Sequence, residues 1–186
     1  MHSATDDELM LEVRGGNLRK LGVLFERYQT PLFNFSFRMT GDRAASEDLV
    51  QEVFFRILRF RHTFQEDSSF ATWMYRIARN ARIDGYRKSK REVGLEPDEE
   101  IPAHQASAAD SLEVEQETAL LRQALAKLPE EKRELLILSR FQGMKYDQMA
   151  ELYGVQAGTL KTRVFRALGE LREIYFNLRG GVAAVG

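Results

Sequence analysis

The residues best suited to chemistry are cations that fill one stretch of the chain. From Arg76 to Arg91 there are seven Lys or Arg, and Asp84 is the one acidic residue among them. A helix that is merely solvated usually interleaves acids with bases, because like charges at spacings of three or four repel each other. The excess of one sign therefore favours contact with phosphate over simple solvation. The polar side of a helix here would carry Arg76, Arg79, Asn80, Arg87 and Arg91.

Aromatic residues are concentrated just before this basic stretch and at its start. Seven of the 19 aromatic residues fall between Phe54 and Tyr75, and most of them are expected in a core. Phe64 differs because it lies in the polar run from His62 to Ser69, where an unpacked ring is free to stack on an exposed nucleic-acid base. Burial of Phe64 in the core is the alternative, and the sequence leaves both interpretations open.

A second motif, nearer the carboxyl end, predicts a helix-turn-helix. A short helix from Tyr146 to Tyr153 precedes Gly154, which suits a positive φ at the turn into the next helix. Apolar residues at helical spacing would bury that second helix against the first: Val155, Leu160, Val164 and Leu168. Its amino-terminal half would present Lys161, Thr162, Arg163 and Arg166, where a recognition helix meets base edges and phosphates. An ordinary helical hairpin with a basic surface is the alternative.

The elements that must position these residues are helices. Apolar residues recur at spacings of three and four along most of the chain, and alternating strand-like segments are scarce, so we predict an all-α fold. The first predicted helix begins at a Thr5/Glu8 capping box and ends at Gly15-Gly16, and the next begins at Thr30-Pro31. Two longer helices follow, one from Asp42 to near Arg61 and one from Phe70, after a Ser68 or Ser69 cap, to near Lys90. Nearer the carboxyl end, one helix runs from Leu112 to Lys127 and another from Pro129 to Gln142.

Composition excludes several kinds of site. The chain has 186 residues, 44% hydrophobic and 30% charged, with no cysteine, which rules out disulfides, Cys-ligated metal and a thiol nucleophile. His2, His62 and His104 show neither metal-ligand spacing nor a catalytic triad, so we expect no metal, no cofactor and no enzymatic activity. No apolar run approaches the ~18 residues that span a bilayer, and we expect a cytoplasmic protein.

The net charge of −1 hides an uneven distribution along the chain. Residues 1–91 hold 16 Lys and Arg against 12 Asp and Glu, and residues 118–186 hold 11 against 7. Residues 92–117 hold no base and nine acids, with two prolines. Two basic segments therefore flank an acidic strip that buries little apolar surface, which predicts two helical domains joined by an extended linker.

Four motifs together resemble the extracytoplasmic-function (ECF) class of bacterial sigma factors in the sigma-70 family. They are Asp48 to Phe54, Phe70 to Asn80, Leu128 to Glu130, and Gly154-Val155 with Gly158 to Arg163, in this order. The resemblance covers nearly the whole chain. It implies region 2 at residues 1–91, an acidic linker at 92–112, region 4 at 113–180 and a tail at 181–186. Region 2 would bind the polymerase clamp and open the −10 element, and region 4 would read the −35 element.

The resemblance also implies roles for individual residues. The polymerase-binding surface would comprise Asp48, Gln51, Glu52, Phe54 and Leu58. The −10 contacts would come from Phe64, Arg76, Asn80 and Arg87, and the −35 contacts from Lys161, Thr162, Arg163, Phe165 and Arg166. The chain departs from the family pattern at Tyr153, where a smaller apolar residue is usual, and at Gln156-Ala157 in the turn.

The implied function is transcription initiation. The expected partners are core RNA polymerase, promoter DNA as a −35 duplex and a −10 single strand, and an anti-sigma factor, with no small-molecule substrate. The alternative is a free-standing helix-turn-helix regulator whose first domain dimerises or senses a ligand. Such a regulator binds duplex DNA alone, whereas a sigma factor needs polymerase.

Overall fold

The computed structural model describes residues 4–93 and 112–183, and the regular secondary structure in these ranges is helical throughout. The helices are α1 (Asp6–Arg14), α2 (Arg19–Thr40), α3 (Arg43–Phe60), α4 (Phe70–Val93), α5 (Leu112–Lys127), α6 (Glu130–Leu136), α7 (Tyr146–Tyr153) and α8 (Ala157–Ala183). A 3-10 turn over Arg61–Thr63 follows α3. The predicted all-α class is confirmed. Most of the predicted linker, residues 94–111, and the last tail residues, 184–186, lie outside the described residues.

Several helix ends form through the side chains that the sequence indicates. Thr5 Oγ1 accepts a hydrogen bond from the Glu8 amide at 3.2 Å, and Glu8 Oε2 accepts one from the Thr5 amide at 2.8 Å. Asp42 caps α3 by accepting from the Ala45 amide at 3.0 Å. These bonds satisfy amides that have no partner within the first turn of a helix. The predicted starts of α1 and α3 are confirmed.

The prediction that Thr30-Pro31 opens a helix is wrong. Helix α2 begins at Arg19 and runs through Pro31 to Thr40. Proline fixes φ close to the helical value, so its cost inside a helix is mainly the lost hydrogen bond and crowding of the preceding turn. Leu24 before it and Leu32 and Phe35 after it are fully buried, and this packing holds the helix together across the proline.

The segment after Pro129 departs from regular α-helix before it ends. Helix α6 stops at Leu136, and the chain continues as a π-helical turn over Ile137–Phe141. The Gln142 amide donates to the Ile137 carbonyl at 2.9 Å, and Gly143 then takes a φ of 66°. The predicted end at Gln142 is confirmed, whereas the π-helical turn has no local sequence signal.

The short helix α1 lies against the start of α4. Asp7 accepts a hydrogen bond from the amide of Phe70, the first residue of α4, at 2.6 Å. The Arg14 guanidinium donates to the Phe64 carbonyl at 2.8 Å. One nine-residue helix therefore fixes both the loop before α4 and the first turn of α4.

The described residues form two helical lobes that pack against each other. We call residues 4–93 the first lobe and 112–183 the second lobe. Their buried apolar side chains make one continuous cluster. Arg133 joins the lobes because its buried guanidinium donates to the carbonyl of Met39 in α2 at 2.7 Å. The same guanidinium donates to three carbonyls at the end of α5, those of Leu125, Ala126 and Leu128, at 2.6 to 3.0 Å.

Within residues 4–93 and 112–183, no helix has the length and apolar character required for a membrane span. Within the same residues, no His, Asp and Glu side chains gather in groups of three or more that suit a metal ion.

Candidate nucleic-acid interface

Helices α7 and α8 form the predicted helix-turn-helix. Gly154 adopts a φ of 65°, in the left-handed region that glycine reaches without strain, and its amide donates to the Ala150 carbonyl. One face of α8 is fully buried through Leu160, Val164 and Ala167. Helix α8 begins at Ala157, three residues after Gly154. The predicted motif is confirmed, with Leu160 and Val164 buried and Val155 and Leu168 partly buried against the core, and this packing leaves the opposite face of α8 free.

All five residues predicted to contact the −35 element lie on that free face. Each is exposed, and Phe165 reaches 77% exposure, unusual for an aromatic side chain: Lys161, Thr162, Arg163, Phe165 and Arg166. Arg163 Nη1 lies 3.2 Å from Glu131 Oε1, and both side chains are well solvated. An exposed pair of this kind contributes little to stability. Arg163 is therefore available to exchange its carboxylate partner for a phosphate or a base edge.

Three of the residues predicted to contact the −10 element share one exposed stripe of α4. Arg76, Asn80 and Arg87 are exposed and follow one another at spacings of four and seven, which align on a helix. Arg76 Nη2 lies 3.6 Å from Glu151 of α7. The amide of Asn80 offers both a donor and an acceptor, the combination that a base edge requires.

The fourth, Phe64, does not lie on that stripe. Its side chain is fully buried, and its ring meets the Trp73 ring edge to face with centroids 5.4 Å apart. A second edge contact, at 6.5 Å, is made with Phe70. The interpretation of Phe64 as an unpacked ring is wrong, because the surrounding loop folds back onto α1 and α4 and carries the ring into the core.

Arg79 also leaves the open face to which the sequence pattern assigns it. Its Nε donates to Glu134 Oε1 in the second lobe at 2.6 Å, and Arg82 Nη2 donates to Glu134 Oε2 at 3.1 Å. The Tyr153 hydroxyl donates to Glu134 Oε1 at 2.5 Å, and the Arg79 guanidinium lies 4.3 Å from the centre of the Tyr153 ring. We call Glu134, Arg79, Arg82 and Tyr153 the Glu134 cluster.

The Glu134 cluster lies at the centre of the contact between the lobes. The Glu134 side chain is 4% exposed, and Arg82 is also largely buried. Burial and the neighbouring Glu134 carboxylate raise the pKa of the Tyr153 hydroxyl, which therefore remains a protonated donor at physiological pH. Sequence reasoning missed the role of Glu134; the one signal was Tyr153, which stands where a smaller apolar residue is usual in the family.

Further polar contacts surround the Glu134 cluster. Tyr75 donates to Gln142 at 3.0 Å, and Gln148 donates to Ser69 at 3.1 Å. Two peripheral contacts involve arginines of the first lobe: Arg82 with Glu130 at 2.7 Å, and Arg38 over the Phe141 ring at 4.6 Å. The contact between the lobes thus contains several arginine–carboxylate pairs and other hydrogen bonds in addition to the shared apolar cluster.

A third surface lies on the outer face of α3. Asp48 and Gln51 are exposed, and Leu58 is half-buried. Glu52 accepts from Arg56 at 2.5 Å, and Arg56 also bonds to Asp84 of α4 at 2.8 Å. Glu52 therefore takes part in a contact between two helices in addition to lying at this face.

Phe54, which the resemblance places in the polymerase-binding surface, is not exposed on that outer face. Phe54 is 8% exposed and packs edge to face on Phe25, with ring centroids 4.9 Å apart. The next residue, Phe55, is 58% exposed and lies one helical turn from Gln51. Adjacent residues of a helix point about 100° apart, so Phe54 and Phe55 face different ways. Phe55 follows Gln51 by four residues and Asp48 by seven, and this helical spacing is the sequence signal that places Phe55 on the exposed face with them.

Family models match both lobes in the order that the motifs predict. "Sigma-70 region 2" matches residues 24–92, and "Sigma-70, region 4" matches residues 118–171. The RNA polymerase sigma-H factor of Pseudomonas aeruginosa is 31% identical over 175 residues, covering 87% of this chain and 89% of that protein. The ECF RNA polymerase sigma factor RpoE of Cereibacter sphaeroides is 33% identical over 153 residues, covering 81% and 83%.

Solved structures have the same fold. A structure of CnrH in complex with the cytosolic domain of CnrY aligns with a TM-score of 0.69 at 22% identity, covering 91% of this chain and 96% of that one. The sigma factor RpoE of Bartonella quintana, in complex with the anti-sigma factor NepR, aligns with a TM-score of 0.66 at 26% identity, covering 85% and 96%. The two matched regions and these relatives show that the chain belongs to the sigma-70 family as an ECF sigma factor.

Proposed function

We propose that this sigma factor binds core RNA polymerase through α3 and guides it to promoters whose −35 element is read by α8 and whose −10 strand is held by α4. The observation that carries the proposal is the presence, in both matched regions, of an exposed polar or basic helix face opposite a buried one. The factor supplies recognition and assists strand opening, without catalysing a reaction, and acts in the cytoplasm, where its polymerase works.

The two DNA elements are contacted in different ways. On α8, Arg163 and Arg166 approach base edges in the major groove, and the exposed Phe165 ring adds apolar contact. On α4, Arg76 and Arg87 hold the phosphates of the separated strand, and Asn80 reads one base. Because Phe64 is buried, no stacking role is assigned to it.

Arg163→Ala and Arg166→Ala are each expected to weaken promoter binding by the holoenzyme. Loss of a base contact costs about 1 to 3 kcal/mol and relaxes preference at one −35 position, whereas loss of a phosphate contact weakens all sequences and lowers the salt slope by about one. Titrations of duplex −35 variants at several salt concentrations separate the two cases. The matched control is Arg172→Ala, also an exposed arginine of α8 but beyond the reading face. Unchanged affinity in both test variants contradicts the assignment of α8.

The polymerase surface is proposed to centre on Phe55, flanked by Asp48 and Gln51. A partly apolar, partly acidic patch on a rigid helix suits a protein interface, where an exposed aromatic residue commonly supplies much of the binding energy. Asp48 and Gln51 have no core role, in contrast to Glu52, which bonds to Arg56.

Asp48→Ala and Gln51→Ala are expected to weaken association with core polymerase while changing the free energy of unfolding by less than about 0.5 kcal/mol, as at other surface sites. A pull-down with core polymerase and a thermal melt of the same samples measure the two effects. Asp67→Ala, an equal loss of charge on the exposed loop before α4, is the matched control. If both test variants retain core polymerase as well as the wild type does, α3 is not part of the polymerase interface.

The regulatory partner is proposed to be an anti-sigma factor. One aligned structure is a sigma factor held by an anti-sigma factor, and this chain shares its fold over 85% of its length. Co-purification from cells, followed by sequencing of the promoters bound by the polymerase complex, tests the whole proposal. Recovery of the chain on duplex DNA without polymerase indicates instead a free-standing helix-turn-helix regulator.

A further inference from the structure

Resting on the function proposed above, we propose that Glu131 of α6 is a positioning residue for −35 recognition. It holds one side of the Arg163 guanidinium, so that the other side reads a single base pair in the major groove. The donors on that free side fit guanine. Glu131 acts through Arg163 and makes no contact with DNA itself.

Glu131 and Arg163 meet because α6 packs against α8. The two helices share the buried apolar cluster, and Lys132 of α6 pairs with Glu170 of α8. These contacts fix the position of one helix relative to the other. Arg163 Nη1 then donates to Glu131 Oε1 at 3.2 Å, across 32 residues of the chain. The partner of Arg163 is therefore supplied by tertiary packing and not by its own helix.

The bond to Glu131 uses one nitrogen of a planar group that has five N–H donors. The remaining donors include those of Nε and Nη2, which form no hydrogen bond with the described residues. Two parallel donors on one side of a guanidinium match the O6 and N7 acceptors of guanine, and this pairing is the commonest base-specific contact in the major groove. Arg163 can therefore read a base pair while it keeps its bond to Glu131.

Other cations of the same face are held differently or not at all. The Lys161 ammonium lies 5.9 Å from the centre of the Tyr146 ring. Arg166 forms no ion pair or hydrogen bond with the described residues. Glu131 thus acts on one of the two arginines that are proposed to read bases, and Arg166 serves as an internal reference.

The charge of Glu131 has two opposite effects on DNA binding. The side chains of Glu131 and Arg163 are 67% and 43% exposed, so their pair adds little to the stability of the free protein. Duplex DNA that covers the pair excludes water, and the attraction between the two charges then strengthens. The same carboxylate repels the phosphates of any duplex, whatever its sequence. We therefore expect Glu131 to raise discrimination between sequences and to lower affinity for duplexes without a −35 element.

The test compares holoenzymes that contain the wild type, Glu131→Ala or Glu131→Gln on duplex promoter fragments in which each −35 base pair is replaced in turn. Arg163→Ala and Arg166→Ala identify the position that each arginine reads. At the Arg163 position, Glu131→Ala is expected to reduce the preference by about two- to twelve-fold, the affinity equivalent of ordering one flexible side chain at an interface. Glu131→Gln keeps an acceptor oxygen and is expected to retain part of the preference. At the Arg166 position, both variants are expected to discriminate as the wild type does.

Glu130→Ala is the matched control. Glu130 also lies in the first turn of α6, and it pairs with Arg82 instead of Arg163. Both alanine variants remove one negative charge from this turn, so both are expected to bind a duplex without a −35 element more tightly and to a similar degree. Only Glu131→Ala is expected to change the preference at the Arg163 position.

The outcomes separate the role of Glu131 from the proposed function. Lost preference at the Arg163 position alone, with no further loss when Glu131→Ala is added to Arg163→Ala, supports the inference. Unchanged preference in Glu131→Ala overturns it. Lost preference at a different position also overturns it, because that result indicates direct contact between Glu131 and a base. If Arg163→Ala itself changes no −35 preference, the proposed reading by Arg163 fails and the inference fails with it.

Discussion

Phe64→Ala is expected to lower the free energy of unfolding by about 3 to 5 kcal/mol, the range for truncation of a fully buried phenylalanine. The ring is 0% exposed and packs against Trp73 and Phe70. The Arg14 guanidinium holds the Phe64 carbonyl, so the loop resists collapse into the space left by the ring. Urea unfolding followed by circular dichroism measures the loss.

Phe55→Ala is the control for that experiment. Phe55 is 58% exposed, and the same truncation there is expected to change stability by less than about 0.5 kcal/mol. A Phe64→Ala protein as stable as the wild type, with weaker binding to single-stranded DNA, contradicts the structural role and restores the stacking interpretation.

Arg133→Leu is expected to cost about 3 to 5 kcal/mol, since buried carbonyls that lose their donor cost roughly 1 to 3 kcal/mol each. The guanidinium donates hydrogen bonds to the Ala126 and Leu128 carbonyls at the end of α5, because Pro129 has no N–H that could continue the hydrogen bonding of the helix. It also bonds to Met39 of the first lobe. Leucine fills much of the volume but donates no hydrogen bond.

The exposed Arg140 supplies the matched control for Arg133→Leu. Arg140→Leu removes the same charge from a solvated position and is expected to shift the midpoint of urea unfolding only slightly. Equal midpoints for the two variants show that the carbonyls at the end of α5 find other donors.

The parts of the fold that depend on neighbouring residues could be predicted from the sequence. The helix-turn-helix requires only a glycine in the left-handed region and apolar residues at helical spacing, all within Tyr146 to Leu168. Its exposed face follows from the same periodicity. The capping box of α1 and the Asp42 cap are also local patterns, and each forms as predicted.

The parts that depend on distant residues could not be predicted. Phe64 is buried because a helix 50 residues earlier holds its loop, and Glu134 meets an arginine 55 residues away. A single sequence carries no signal for such pairs. Phe54 and Phe55 are adjacent, and helical spacing from Gln51 and Asp48 distinguishes them, but the resemblance places Phe54 in the polymerase-binding surface. At Pro31 the local helix-breaking tendency is overridden by burial on either side.

The support that α1 gives to α4 has an evolutionary consequence. The matched region 2 begins at residue 24, whereas Asp7 and Arg14, which hold the first turn of α4 and the loop before it, lie outside that range. Substitutions in α1 therefore change the support of the loop before α4 and of the first turn of α4 while every residue of the matched region stays the same. On the proposed role of α4 at the −10 strand, promoter preference in such a lineage can change through a segment that comparison of the shared region alone leaves out.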